Sequence, residues 1–390
     1  MNAFGSFHVV NQINDHRWHH DCSKPGVSEM HPSDSRMTGA EREIHIGFVP
    51  LTDCAPLIAA VELGLFSRRN LNVRLHREPG WASVREKMLH GEIDAAHAPA
   101  SMILELSYGL GVPVVPTLTG MVMAHHGNTI TLSNELWEMG VRDASSLATI
   151  VHSQRHKRRF TFAGVLSYSS QNYLMRKWLR SGGLVPGEDV DLVVVPPPLV
   201  AECMEAGHLD GFCVAEPWAS AGILRGVGEC VTLSAQLDPM HPEKVFMVRE
   251  RFAKDHPDTH LELLAALREA ALWCDQPSNR PGLAVMLAQA HYVGVPVPCL
   301  RNALVGPFVM GRGRSVDAGD AIRFASADSN RPSPDKAEWV LREIQLHGLG
   351  SNLPRLSRED LARRFREDLY EKALGLLHRP VEAPKSAILS

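Results

Sequence analysis

The stretch Val193–Trp218, VVVPPPLVAECMEAGHLDGFCVAEPW, decides the fold. It reads as a buried strand, a proline-marked turn and a helix over about Leu199–Ala206. A glycine stop at Gly207 and a second short strand over Leu209–Val214 follow. Glu216-Pro217-Trp218 then opens another helix; proline suits the first helical turn, where its missing N–H would be unpaired anyway. The mouth of such a helix carries N–H groups without intrahelical partners, which favours an anion. Alone, the stretch is one αβ crossover in a core.

An upstream echo gives it more weight. Set beside Met204–Pro217, the segment Met88–Pro99 (MLHGEIDAAHAP) places Met88 on Met204, Gly91 on Gly207, Ile93 on Leu209 and Asp94 on Asp210, at one offset of 116 positions. Each copy is a helix, a glycine C-cap and a short strand with an acidic residue near its start. Strands at 44–49, 71–78, 93–98 and 112–119 alternate with helices at 54–63, 81–90 and 100–108, the pattern of βαβ units and a largely parallel sheet. The expectation is two duplicated α/β lobes with a ligand cleft between them, beyond the carboxyl ends of the strands.

The boundaries follow from where the pattern changes. Residues 1–40 are polar and aperiodic and read as a disordered arm. Lobe 1 runs over 41–124, lobe 2 over 125–224, and the chain then returns to lobe 1 over 225–380 with a helical C-terminal region; 381–390 read as a loose tail. The Gly-, Ser-, Asp- and Pro-rich segment 309–335 reads as a long loop, and 358–371 as one helix.

Composition excludes several classes. The 390 residues are 44% apolar and 22% charged, as in a globular protein long enough for two cores. A net charge of −4 argues against direct nucleic-acid binding. No apolar run is long enough to insert in a membrane. Seven scattered cysteines without a CxxC pair fit reduced, mostly buried thiols. No secretory signal pattern is visible at the start, so a cytoplasmic protein is expected. His16, His19, His20 and Cys22 match no zinc spacing, and the adjacent His125 and His126 point to opposite sides of a strand, so no metal is expected. The basic stretch Gln154–Phe160 reads as a solvated helix end. No nucleophile elbow, P-loop, dinucleotide fingerprint or HExxH motif occurs, so neither an enzyme nor a cofactor is expected.

Together, VVVPPPLVAECMEAGHLDGFCVAEPW, HPEK (241–244), FVPLTDCAPLIAA (48–60) and RKWLRSGGL (176–184) resemble the nitrate- and bicarbonate-binding proteins of ABC uptake systems. The resemblance covers about 43–300 and implies a two-lobed periplasmic-binding type II fold closing on a small planar oxyanion. It places the anion contacts on Trp81, Asn128, Gln171 and Lys244. Asn128 stands where the transporters usually carry glutamine, and Gln171 where histidine is usual; both keep donors but change reach and charge. Asp53, His97, Ser170, Glu216 and Trp218 are further cleft or hinge positions. Taken singly, Trp81 reads as core packing, Lys244 as a solvated strand end and Asn128 as a turn residue. Lys244→Ala is expected to abolish the response to nitrate and leave the fold intact.

The lack of a visible signal makes the chain similar to a cytoplasmic branch of the family that senses nitrate or nitrite. That branch implies a partner, an ANTAR-domain response regulator that acts as an antiterminator of nitrate-assimilation genes. The ligand would be nitrate or nitrite ahead of bicarbonate. The alternative is the substrate-binding component of an ABC importer for the same anions; an enzyme on the same fold is the third reading.

Overall fold

The computed structural model describes residues 42–317, 319, 321–348 and 353–377. The expected arm and tail, with the His16–Cys22 group, lie outside the described residues.

The chain first lays down β1 (Glu43–Phe48), β2 (Asn72–Arg77), β3 (Ala95–Pro99) and β4 (Thr117–His126). It crosses at Gly127 and builds β5 (Asn128–Ser133), β6 (Thr161–Gly164), β7 (Asp191–Val194), β8 (Gly211–Ala215) and β9 (Gly228–Leu233). It returns through β10 (Pro242–Arg249), then forms the hairpin β11 (Phe308–Gly311) and β12 (Arg314–Val316), and β13 (Ile322–Arg323). The first sheet has the order β13-β4-β10-β3-β1-β2, the second β7-β6-β8-β5-β9.

The duplication is visible strand by strand. In lobe 1, β1 pairs parallel with β2 and β3, while β10 runs antiparallel to β3 and β4. In lobe 2, β6 pairs parallel with β7 and β8, while β5 runs antiparallel to β8 and β9. Even the registers agree: Ile46 faces Ala95 as Phe162 faces Gly211, each pair offset by the same 116 positions.

Asp94 and Asp210 explain why the echo contains an aspartate. The Asp94 backbone N–H donates to the His45 carbonyl (2.8 Å), and its carboxylate accepts from the His45 N–H (2.9 Å). Asp210 does both to Thr161, at 2.8 and 2.7 Å. Arg42 pairs with Asp94 and Arg158 with Asp210 (3.0 Å), again one offset apart. Each carboxylate thus continues a parallel ladder one step past its strand, where a backbone donor would otherwise go unpaired. Gly91 and Gly207 precede these strands at φ 74° and 76°, a left-handed turn that glycine adopts without Cβ strain.

Four expectations change. Val193 and Val194 lie on the outer edge strand β7 and are exposed, because among the described residues β7 pairs only with β6. The segment 229–233 stays in lobe 2 as β9, paired with β5, so the return falls at β10 rather than at 225. The segment read as a loop over 309–335 holds the β11–β12 hairpin, and β13 extends the first sheet along β4. The C-terminal helix is two, Arg358–Arg364 and Glu367–Leu374, separated where Phe365 leaves helical geometry.

The two crossings position everything that follows. Strand β4 ends at His126, Gly127 turns at φ 82°, and β5 starts at Asn128. Asn128 faces Ala215 on β8, and Lys244 faces Pro99 on β3, positions that correspond under the 116-residue offset. Each lobe's antiparallel strand therefore begins at the interface and brings one polar side chain there.

Candidate functional site

Lys244 is fully buried, as are the groups around it. Its Nζ donates to Glu243 and lies 3.0 Å from Asp53 Oδ2 as an ion pair. It also sits 5.2 Å from the Trp81 ring centroid, within cation–π range. Asp53 comes from the 3-10 turn Thr52–Cys54 that precedes the helix Ala55–Glu62. His97, on β3, places Nε2 2.8 Å from Asp53 Oδ1, and its ring lies 5.4 Å from that of Trp81.

Lobe 2 supplies the other half. Gln171 is the second residue of the helix Ser170–Ser181, whose N-cap Ser169 accepts from the Asn172 N–H. Gln171 Nε2 donates to Glu243 Oε1 and to Asn128 Oδ1, both at 2.7 Å. Asn128 Nδ2 donates to Glu243 Oε2 at 2.5 Å. Three donors, from β5, from a helix of lobe 2 and from β10, thus converge on one planar carboxylate.

Consecutive strand residues normally point to opposite faces. Here the ladder between β10 and β4 shifts: Pro242 faces His125 and Lys244 faces Ala124, leaving Glu243 as an extra residue. Such a bulge re-aims side chains, and it lets Glu243 and Lys244 enter the same interior. His241 completes the group, with Nε2 3.3 Å from Glu243 Oε2 and Nδ1 2.6 Å from the Asp238 carbonyl.

The electrostatics are those of one cation shared by two carboxylates. Burial works against the Lys244 ammonium, but Asp53 and Glu243 outweigh it and hold its pKa above the ordinary lysine value. Burial likewise opposes the Glu243 carboxylate; Lys244 and His241 outweigh it and push its pKa well below the usual range. Burial lowers the His97 pKa, which keeps the imidazole neutral and makes Nε2–H the donor to Asp53. The Trp81 indole N–H, His97 Nδ1 and Thr52 hydroxyl are buried without hydrogen-bond partners among the described residues. A buried donor without a partner beside an ammonium is suited to an anion.

The other expected positions sort themselves. Glu216 is a brace between lobes: its carbonyl accepts from the Thr52 N–H and its own N–H donates to the Gly127 carbonyl, both at 2.8 Å. Its buried carboxylate accepts from Thr129 Oγ1 (2.9 Å) and the Ser220 N–H (3.2 Å), and burial raises its pKa to about 7. Trp218 donates its indole N–H to the Pro50 carbonyl (2.9 Å), a further tie between lobes. Ser170 is buried beside Gln171, its hydroxyl 3.4 Å from Oε1.

Sequence reasoning passed over Glu243, His241 and Trp339. The first two stand in the HPEK motif, where only adjacency to Lys244 hinted at them. Trp339 belongs to the helix Pro334–Leu346; its ring lies 5.9 Å from His241 and 6.4 Å from Tyr173, and its Nε1–H donates to Asp238 (3.1 Å). That C-terminal helix covers the His241 side of the cluster. Surface clefts around Asp275 and Arg280, and around His152, Arg155 and Asp189, contain none of these residues. Nor does Lys244 fit the expectation of a position whose loss leaves the fold untouched, since two buried carboxylates depend on it.

The sequence model of the NMT1-like family matches residues 38–288. The chain belongs to the NMT1-like family. The nitrate/nitrite binding protein NrtA of Synechococcus elongatus is 30% identical, over 91% of this chain and 83% of its own length. The nitrate import ATP-binding protein NrtC of Synechocystis is 34% identical over 86% of this chain. The chain spans about half the length of that relative, which extends well beyond the shared region. Among solved structures, the periplasmic nitrate-binding protein NrtA of Synechocystis superposes with a TM-score of 0.82 at 26% identity, covering 87% of this chain and 89% of the other. The fold of this family member is accordingly that of the periplasmic-binding proteins. Its six described cysteines are free, five of them buried. No helix among the described residues is long and apolar enough to cross a membrane.

Proposed function

We propose that this family member binds a small planar oxyanion, nitrate or nitrite ahead of bicarbonate, between its two lobes. One observation carries the reading: Asn128, Gln171 and Lys244 converge from both lobes on a planar carboxylate, with the unpartnered Trp81 N–H beside them. A carboxylate and nitrate share planarity and delocalised charge, so a cradle for one suits the other. The names of the nitrate-binding relatives point the same way. Hydrogen-bond donors around a charge are suited to binding chemistry.

In this reading the protein is a cytoplasmic sensor. The anion favours one arrangement of the lobes, and that difference in affinity alone shifts the equilibrium with an ANTAR-domain response regulator. Reciprocally, the regulator changes anion affinity by the same factor. A second reading, the substrate-binding component of an importer, uses the same site and is favoured by the import relative NrtC. Calorimetric titration with nitrate, nitrite, bicarbonate and sulfate tests the site. Heat of binding for nitrate or nitrite and none for sulfate is expected; silence for every oxyanion refutes it. Gel filtration with the regulator, with and without nitrate, separates the readings: nitrate-dependent release favours the sensor, and no complex under either condition favours the importer.

A further inference from the structure

The donor set proposed to hold the ligand is already occupied. Glu243 Oε2 accepts from Asn128, and Oε1 accepts from Gln171 and Lys244. Both Gln171 amide hydrogens are committed, one to Glu243 and one to Asn128. A free oxyanion entering beside this carboxylate would meet Asp53 and Glu243 around a single ammonium, in a buried region where like charges are poorly screened.

We infer that Glu243 is a tethered competitor for the oxyanion site: its carboxylate stands on Asn128, Gln171 and Lys244 where the free anion would, and the anion binds by displacing it and taking up a proton. The inference rests on the oxyanion reading above and adds the residue that sets its affinity and pH dependence. The bulge that places Glu243 inside is what makes the competition possible; in a regular ladder the side chain would point to the other face.

The proton requirement follows from the groups that face Glu243. Lys244 and His241 flank it on its own segment, Asp53 reaches it through Lys244, and His97 lies behind Asp53. Asn128 and Gln171 face it from lobe 2 and do not titrate. His126 and Trp339 close the far side of His241, with ring separations of 5.4 and 5.9 Å. His241 Nδ1 lies 2.6 Å from the Asp238 carbonyl, and its Nε2 lies 3.3 Å from Glu243 Oε2. A second buried negative charge is accommodated when the displaced carboxyl gains a proton.

The test is nitrate titration of the full chain by calorimetry, wild type against Glu243→Gln, from pH 6 to 8. Wild-type affinity is expected to fall by up to about tenfold per pH unit, the slope of one linked proton. Glu243→Gln is expected to bind at least tenfold tighter at pH 8, with a flatter profile. Glu243→Asp, whose shorter carboxylate reaches the donors less well, should lie between them, and melting without anion checks that both variants fold. If wild type binds and Glu243→Gln binds equally or more weakly, Glu243 merely positions Lys244 and the competitor inference is overturned while the oxyanion site stands. If no form binds nitrate, nitrite or bicarbonate, the oxyanion reading falls and takes the inference with it.

Discussion

Replacing Lys244 by methionine would test the charge arrangement on which the site depends. Methionine fills much of the same volume, so the change isolates the ammonium from the packing. It leaves Asp53 and Glu243 buried without their shared cation. Removing one partner of a buried ion pair costs about 3–5 kcal/mol at neutral pH, roughly 10²–10⁴-fold in the folding equilibrium. The pH dependence carries a sign that packing loss cannot imitate. In wild type the Glu243 pKa is depressed, so its contribution is present above the unfolded value of 4.5 and is lost as pH falls through the folded one. In the variant, burial without Lys244 raises that pKa above 4.5, so stability grows as pH falls from neutral toward 4.5. Denaturant unfolding at pH 7.5 and pH 5 should therefore show a gap between the proteins that narrows on acidification. Parallel pH profiles for the two would refute the pairing.

Three further outcomes are expected. Trp81→Phe removes a buried indole N–H that has no partner, so thermal stability should hold or rise while nitrate affinity falls about 10–100-fold, as for a lost hydrogen bond to a charged group; unchanged affinity would remove Trp81 from the site. Glu216 titrates at about 7 against an ordinary 4.5, so the stability of wild type relative to Glu216→Gln should fall by about 3 kcal/mol as pH rises from 4.5 to 7 in the same unfolding assay, and parallel profiles would refute the shift. Asp94→Asn and Asp210→Asn remove equivalent carboxylates, and each should lower unfolding stability by about 1–3 kcal/mol. A loss confined to one of them would argue against the shared role.

Much of the architecture was legible because the duplication repeats locally specified parts. A helix, a left-handed glycine and an aspartate completing a ladder are each encoded within about a dozen residues, so Met88–Pro99 and Met204–Pro217 identify each other without any knowledge of the sheets. Trp81, Asn128, Gln171 and Lys244 came from resemblance, and the fold brings all four to one buried cluster. The misread elements share another cause. Whether 193–194 is central or at an edge, and whether 229–233 joins the first or second sheet, depends on which strands are neighbours, and hydrophobic pattern says only that a strand exists.

The sequence by itself therefore determined two α/β lobes and their internal repeat, and resemblance added the lysine of HPEK. Only the tertiary structure decided what surrounds that lysine. The first of three register shifts between β10 and β4, between Pro242 and Lys244, turns Glu243 inward beside Lys244, and such a shift belongs to the pairing of two strands rather than to either strand's residues. The charge balance of the site, one ammonium between two carboxylates, is set by that pairing.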